Sequence, residues 1–496
     1  MSSASVSTRP GFWPTAQTKL ATFSNALFLL FAGSLLLHLV VALIFIRYPI
    51  ALDDMYQYDM LARSIRDGRG YRWYSQADLD VLWPYYEPMI EVERSAFPDD
   101  GLPTAHRAPG YPLFLALLYV FTPDAARFGV ARVAQAGLAA GLAPLAAWLA
   151  RRAGFCLKEC LLAGIGVSLY PILMFYPVAL ASENLYVLLG LVSLIAIYGL
   201  GEKHSPGGAA LAGLLAGLTM LTRSVFAPFV LLAGLWLARF SPGRKKAALV
   251  FLSIAFGLCL PWAVRNSLLA GKPAFVEGGA GYNLYISNHP QGDGGFISSI
   301  AIPPLNILND ADREQVCMQQ AISFIRRDPL ESARRAMVRL VRFTGIEGRE
   351  FFYFYTNNLL GPIAQPWLIG LILLLVLPWA FTLILGAAGL WLTWSRERKL
   401  AWLVGLYLIS YLLPHVAIIA EPRFHLAWVP VLMPFAMVGW SARKLMPGRR
   451  LFTRPNIGFT LLMVGALALI LGSLMSNLPV LSLILQPGGN ELRFAY

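Results

Sequence analysis

Apolar runs of roughly twenty residues, enough for one bilayer crossing, recur along this whole chain. That feature limits the fold more than any other. Hydrocarbon offers backbone N–H and C=O groups no partner, so such runs must be helices that satisfy themselves internally. Composition agrees: of 496 residues, 57% are hydrophobic and only 14% charged, against about 25% charged in soluble proteins. An all-α polytopic membrane protein is expected.

Expected spans cover residues 25–47, 128–150, 158–178, 183–201, 208–222, 224–240, 247–269, 366–392, 401–419, 424–440 and 457–476, about eleven in all. The first is too long for a signal-peptide core and lacks a small-residue cleavage site, so it reads as an uncleaved span. Tyr111–Phe121 is apolar but short, with prolines at 109, 112 and 123, and is expected as a re-entrant or juxtamembrane helix. Basic residues collect on the cytoplasmic side of membrane proteins. Eleven crossings from an inner N-terminus put Arg151/Arg152/Lys158, Lys203, Arg244/Lys245/Lys246, Arg396/Arg398/Lys399 and Arg443/Lys444/Arg449/Arg450/Arg454 on that side. A twelfth crossing at Tyr111–Phe121 would turn the first three groups outward. The expected division is a cytoplasmic segment 1–24, a core 25–269 with a first outer loop 48–110, a second outer loop 270–362, further spans over 363–476 and an outer tail 477–496.

The 40 Lys and Arg against 27 acids, a formal +13, fit that distribution better than a nucleic-acid partner. Cys156, Cys160, Cys259 and Cys317 form no C-x-x-C pair, so neither a disulfide framework nor a thiolate zinc site is expected. Span centres carry few ionisable groups, His38 and His415 being the main exceptions. Proton- or ion-coupled transporters keep carboxylates near the bilayer midplane; here the charges gather at one surface.

Five motifs supply them. Asp54, Tyr58 and Ala62 follow the first span at i, i+4, i+8, one face of a helix; either Asp53 or Asp54 could instead cap that helix. Arg107 stands in His106-Arg107-Ala108-Pro109-Gly110-Tyr111-Pro112-Leu113 and could fork onto a phosphate or reach for headgroups. Ser182-Glu183-Asn184-Leu185-Tyr186 puts a carboxylate in a tight apolar hairpin, which calls for a partner, a cation or a capping role. Arg132, Arg223 and Arg265, the last in Pro261-Trp262-Ala263-Val264-Arg265-Asn266, lie at outer span ends, as does Glu421-Pro422-Arg423-Phe424-His425-Leu426. Outer-face arginines run against the positive-inside bias. Anionic ligand binding explains them, and so would ion pairs with the acidic first loop.

The order of these motifs, over about residues 25–440, resembles the GT-C membrane glycosyltransferases, in particular the protein O-mannosyltransferases and the lipid A aminoarabinose transferases. The resemblance implies a GT-C-like bundle, a polyprenyl-phosphate-linked sugar as donor and inverting transfer to a hydroxyl of a glycolipid, polysaccharide or protein, on the extracytoplasmic face of the inner membrane. It implies Asp54 as general base, with Asp53 as the alternative because many relatives carry Asp-Glu where this chain has Asp53-Asp54. Arg107, Arg265 and Arg423 are implied for the donor phosphate, and Tyr58, Glu183, Arg223, Asn266, Glu421 and His425 for substrate. Several related families use Mg or Mn, which Asp54 and Glu183 would hold here; the sequence does not decide this. The rival readings are a lipid-linked-sugar flippase or exporter, and an O-antigen ligase or polymerase.

Overall fold

A computed structural model describes residues 20–492 except 204, 242, 346–348, 359 and 443–453; the expected inner-face cations Arg443, Lys444, Arg449 and Arg450 lie outside that set. In chain order the helices are α1 (Leu20–Ile44), α2 (Asp54–Arg66), α3 (Gln76–Tyr86), α4 (Gly110–Val120), α5 (Arg127–Arg152), α6 (Leu157–Ser168), α7 (Pro171–Phe175), α8 (Glu183–Glu202), α9 (Pro206–Thr222), α10 (Ala227–Phe240) and α11 (Arg244–Ala270). They continue with α12 (Ala280–Asn288), α13 (Ser298–Ala301), α14 (Asp310–Arg327), α15 (Pro329–Phe343), α16 (Arg349–Thr356), α17 (Gln365–Trp394), α18 (Arg398–Ala417), α19 (Val429–Ala442) and α20 (Arg454–Ile484). One two-stranded antiparallel ribbon, β1 (Arg72–Trp73) with β2 (Leu102–Pro103), ties the base of the first loop.

Among the described residues seven helices are long and apolar enough to cross a membrane, or eight if the bent pair formed by α6 and the segment from α7 to Val178 is one span. The protein is therefore a multi-pass membrane protein. Seven or eight is fewer than the eleven expected, and the difference is length: α9, α10 and α19 are apolar but shorter. α10 ends against two of its long neighbours. Phe240, at the end of α10, accepts a 3.5 Å bond from Lys399 Nζ at the start of α18, and Ser241 Oγ donates to Leu200 O of α8 at 3.0 Å. α4 is the short apolar helix expected at Tyr111–Phe121.

The helices of the two polar segments form for other reasons. α2 is capped by Asp53, whose Oδ1 accepts from Met55 N at 2.9 Å. α3 starts on a capping box between Ser75 and Asp78, α14 on Asn309 and α15 on Asp328. Each cap satisfies N–H groups that the first helical turn leaves open. α8 and α17 have no such side-chain cap.

The chain ends of the spans are stitched together at one end of the body. Arg132, 1% exposed, donates to Val178 O and Phe45 O, both at 2.9 Å. Gln135 Nε2 reaches Pro177 O at 2.9 Å and Ala179 O at 3.1 Å, and Asn184 Nδ2 donates to Gln135 Oε1 at 3.1 Å. Arg132 thus spends its donors on carbonyls left open by helix ends, a structural role rather than one toward a ligand. Both polar segments pack over this same end as one cap: Glu91 N donates to Asn306 Oδ1 at 2.9 Å, and Asp310 accepts from Ala105 N at 3.1 Å and from the Thr104 hydroxyl.

Candidate active site

Beneath that cap a chain of alternating charges links five separate parts of the sequence. α2 presents Asp54 in its first turn and Tyr58 one turn later. Arg107 arrives on the segment leading into α4. That segment lies hard against the end of α9: a Cβ at Gly110 would sit 2.7 Å from Thr222 Oγ1 and 2.8 Å from Leu221 O, so only glycine permits the approach. Glu183 opens α8, Arg223 closes α9, and Arg423 lies in the turn between α18 and α19.

Asp54 Oδ1 accepts from Arg107 Nη2, and Asp54 Oδ2 from Arg423 Nη2 at 3.1 Å. Arg423 Nε lies 4.0 Å from Glu183 Oε1, the oxygen that also meets Arg223 Nη1 at 2.7 Å. Gln57, one helical turn after Asp54, accepts from Arg107 Nε at 3.0 Å and Nη2 at 2.6 Å. Ser182 Oγ accepts from Tyr58 at 3.0 Å and from Arg223 Nη1 at 3.2 Å. The Arg107 guanidinium lies over the Tyr58 ring, 5.4 Å from its centre. Burial favours a neutral Asp54, but the guanidiniums of Arg107 and Arg423 outweigh it and hold the carboxyl well below the usual range.

Fixed this way, the arginines keep unused capacity. Nη1 of Arg107 and Nη1 of Arg423 donate to no protein group among the described residues. Their side chains are 22% and 32% exposed. Guanidinium forks preset by carboxylates and partly open to solvent suit a tetrahedral anion.

Of the residues named from sequence, Asp54, Tyr58, Arg107, Glu183, Arg223 and Arg423 come together. Asp53 is one residue away and caps α2, whereas Asp54, implied as general base by the resemblance, has both oxygens on guanidiniums. Glu421 is buried and its charge acts on Arg423. Arg265, Asn266 and His425 lie elsewhere. Arg265 Nη1 donates to Thr104 O at 2.5 Å and Asn266 Oδ1 at 3.0 Å, and its Nη2 to Tyr71 O at 3.3 Å. Asn266 Nδ2 donates to Phe275 O at 2.9 Å and Val276 O at 3.0 Å. His425 is stacked on Trp379 at 3.7 Å and its Nδ1 meets Phe343 O at 2.7 Å, inside the helical core.

Sequence reading passed over Gln57, Ser182 and Glu277. The first two were legible as neighbours, Gln57 sitting at i+3 from Asp54 and Ser182 just before Glu183. Glu277 opens the Gly-rich stretch after α11. Its Oε1 accepts from Ser224 N at 2.8 Å and Ser224 Oγ at 2.6 Å, immediately beside Arg223.

For a divalent cation the donor set is poor. Asp54 and Glu183 already face three guanidiniums, and among the described residues no group of three or more His, Cys, Asp or Glu side chains is arranged to hold a metal ion.

No family model matches the chain, and no curated protein does. Among solved structures it is similar to the archaeal oligosaccharyltransferase AglB from Archaeoglobus fulgidus, solved with an inhibitory peptide and a dolichol-phosphate, at 15% identity and a TM-score of 0.45 over 94% of this chain. It is also similar to ArnT from Cupriavidus metallidurans, solved with undecaprenyl phosphate, at 13% identity and a TM-score of 0.45 over 96% of this chain. The chain spans 61% of the length of the first and 75% of the second.

Proposed function

We propose that the protein is a glycosyltransferase that moves a sugar from a polyprenyl-phosphate carrier to a hydroxyl acceptor on the extracytoplasmic face of the membrane, with inversion at the anomeric carbon. The observation that carries this reading is the chain Arg107–Asp54–Arg423–Glu183–Arg223, held at one end of a membrane body under a cap made of both polar loops. The donor class is the one used by the family that the motifs resemble. The outward face follows from the positive-inside bias, since the opposite end of the body carries Arg151, Arg152, Lys203, Arg396 and Lys399.

Transfer from a lipid phosphate asks two things of a protein. The departing phosphate needs fixed cations as its charge develops, and donors set in advance cost nothing to reorganise at that moment. Arg107 and Arg423 supply them through their unused Nη1 groups, with Asp54 as the shared strut that keeps the two apart and aimed. The acceptor hydroxyl needs a carboxylate within reach of its proton. A divalent cation at Asp54 and Glu183 would have to displace Arg107, Arg223 and Arg423, so the charge at the phosphate is assigned to arginine.

The test is mass spectrometry of envelope lipids from cells lacking the protein. Accumulated polyprenyl-phosphate sugar, consumed when purified protein is added back to those membranes, supports the reading. An unchanged lipid profile together with no consumption on add-back would sink it. A flippase would keep moving lipid-linked sugar after Asp54→Asn; the transferase loses turnover.

A further inference from the structure

We propose that Glu277, a residue of the second outer loop, takes the proton of the acceptor hydroxyl. This deepens the transferase reading and rests on it.

The argument begins with what fixes Glu277. After α11 ends at Ala270, the chain folds back on the helix it has just left. Trp262 Nε1 donates to Val276 O at 3.0 Å, and Asn266 Nδ2 donates to Phe275 O at 2.9 Å and to the same Val276 O at 3.0 Å. On the other side Gly278 N donates to Ala105 O at 2.7 Å, two residues before Arg107. Gly279 takes φ +92°, a left-handed conformation that glycine adopts without strain. The Glu314 carboxylate then accepts from Gly279 N at 3.1 Å, Gly281 N at 2.6 Å and Tyr282 N at 3.2 Å, which pins the next turn. The backbone on both sides of Glu277 is therefore held by six side-chain and main-chain donors. Pro261-Trp262-Ala263-Val264-Arg265-Asn266 thus gains a role that ligand binding by Arg265 or Asn266 did not give it: it positions Glu277.

The side chain is held by half. Oε1 takes both the amide and the hydroxyl of Ser224, next to Arg223. Oε2 accepts from no protein group among the described residues, and its carboxylate charge acts on both Arg107 and Arg223. Asp54 contrasts with it, because each of its oxygens already lies on a guanidinium. A carboxylate whose two oxygens are both engaged by cations is a poor proton acceptor, whereas one anchored through a single oxygen has a lone pair to offer.

The step balances as a single displacement. The acceptor O–H proton passes to Glu277 Oε2, and the acceptor oxygen bonds to the anomeric carbon. The bond from that carbon to the phosphate oxygen breaks, and its electron pair leaves with the lipid phosphate onto Arg107 and Arg423.

The experiment uses full-length protein in the add-back assay, with sodium azide as probe. Azide is a nucleophile that carries no proton at neutral pH and so needs no base. Glu277→Ala and Glu277→Gln should lower transfer to the hydroxyl acceptor by about 10²–10⁴-fold, the usual worth of a general base. Azide should meanwhile still draw glycosyl azide from the donor in Glu277→Ala, and Asp54→Asn should lose both reactions. Glu277→Gln keeps an Oε1 acceptor for Ser224, so the loop stays anchored. Wild-type transfer in Glu277→Gln, or loss of azide-driven cleavage along with transfer in Glu277→Ala, would overturn the assignment. If wild-type protein fails to consume lipid-linked sugar in the same membranes, it is the transferase reading that fails.

Discussion

Arg107, Arg223 and Arg423 at the capped end of the body are held on Asp54 and Glu183, their side chains 22%, 18% and 32% exposed. At the other end Arg152 meets Glu202 with both side chains 37% exposed. There Arg151 leans on Phe23, Arg152 on Trp148, Arg239 on Phe240 and Arg398 on Trp394, with guanidinium carbons 5.0–5.9 Å from the ring centres. The same residue type does two kinds of work. At the exposed end arginine lies along aromatic rings with its charge toward solvent, as interfacial cations do. At the capped end it is taken from water and must be matched by carboxylates, an arrangement that costs stability unless every partner is present.

Variants at matched positions on the two ends test this contrast. The largest effect is expected at Arg423: Arg423→Ala should reduce transfer by about 10²–10³-fold, the usual cost of one lost charge-stabilising donor. Arg398→Ala at the opposite end should leave transfer unchanged in the same assay. Equal losses at both ends would erase the distinction.

Stability should divide the ends next. Glu183 is 6% exposed beside Arg223, and Glu183→Gln strands that guanidinium, at a cost of about 3–5 kcal/mol for a broken buried pair. Chemical unfolding in detergent measures it; a variant as stable as wild type would show that the pair is not buried in solution.

A pH series gives the third comparison. Burial, with the charges of Arg107 and Arg313, pushes His106 down to about 3 from an ordinary 6.5. Between those values the unfolded chain binds a proton that the folded one refuses. Stability from this group is therefore full above pH 6.5 and is lost as pH falls toward 3. Melting temperature should drop across that window in wild type and drop less in His106→Phe; parallel curves would remove His106 from the account.

The smallest effect belongs to the exposed pair. Glu202→Gln should shift stability by no more than about 1 kcal/mol, and added salt should abolish even that. A larger, salt-resistant change would mean that this end too is shielded from water.

Much of the site could be read from the chain because its ligands sit at span ends, where a charged residue in an apolar context stands out. Asp54, Arg107, Glu183, Arg223 and Arg423 were all found that way. Arg265 and Asn266 were found by the same signal and serve a different end, because spacing reports where a side chain starts and not which carbonyl it meets. His425 looked like part of the Glu421–Arg423 group, yet its ring turns inward onto Trp379. Span number was blurred for a related reason: α9, α10 and α19 are apolar enough to be counted but shorter than a bilayer crossing needs by length alone.

Hydropathy by itself determined that the chain is helical and membrane-embedded, because hydrocarbon gives the backbone groups of a long apolar run no partners but one another. Which charges meet was decided only by the tertiary structure. Asp54 and Arg423 are 369 residues apart in the chain, and an ion pair depends on a few ångströms that no local pattern encodes. Glu277 is the clearest case, an ordinary loop glutamate until Trp262, Asn266 and Ala105 fix the backbone around it.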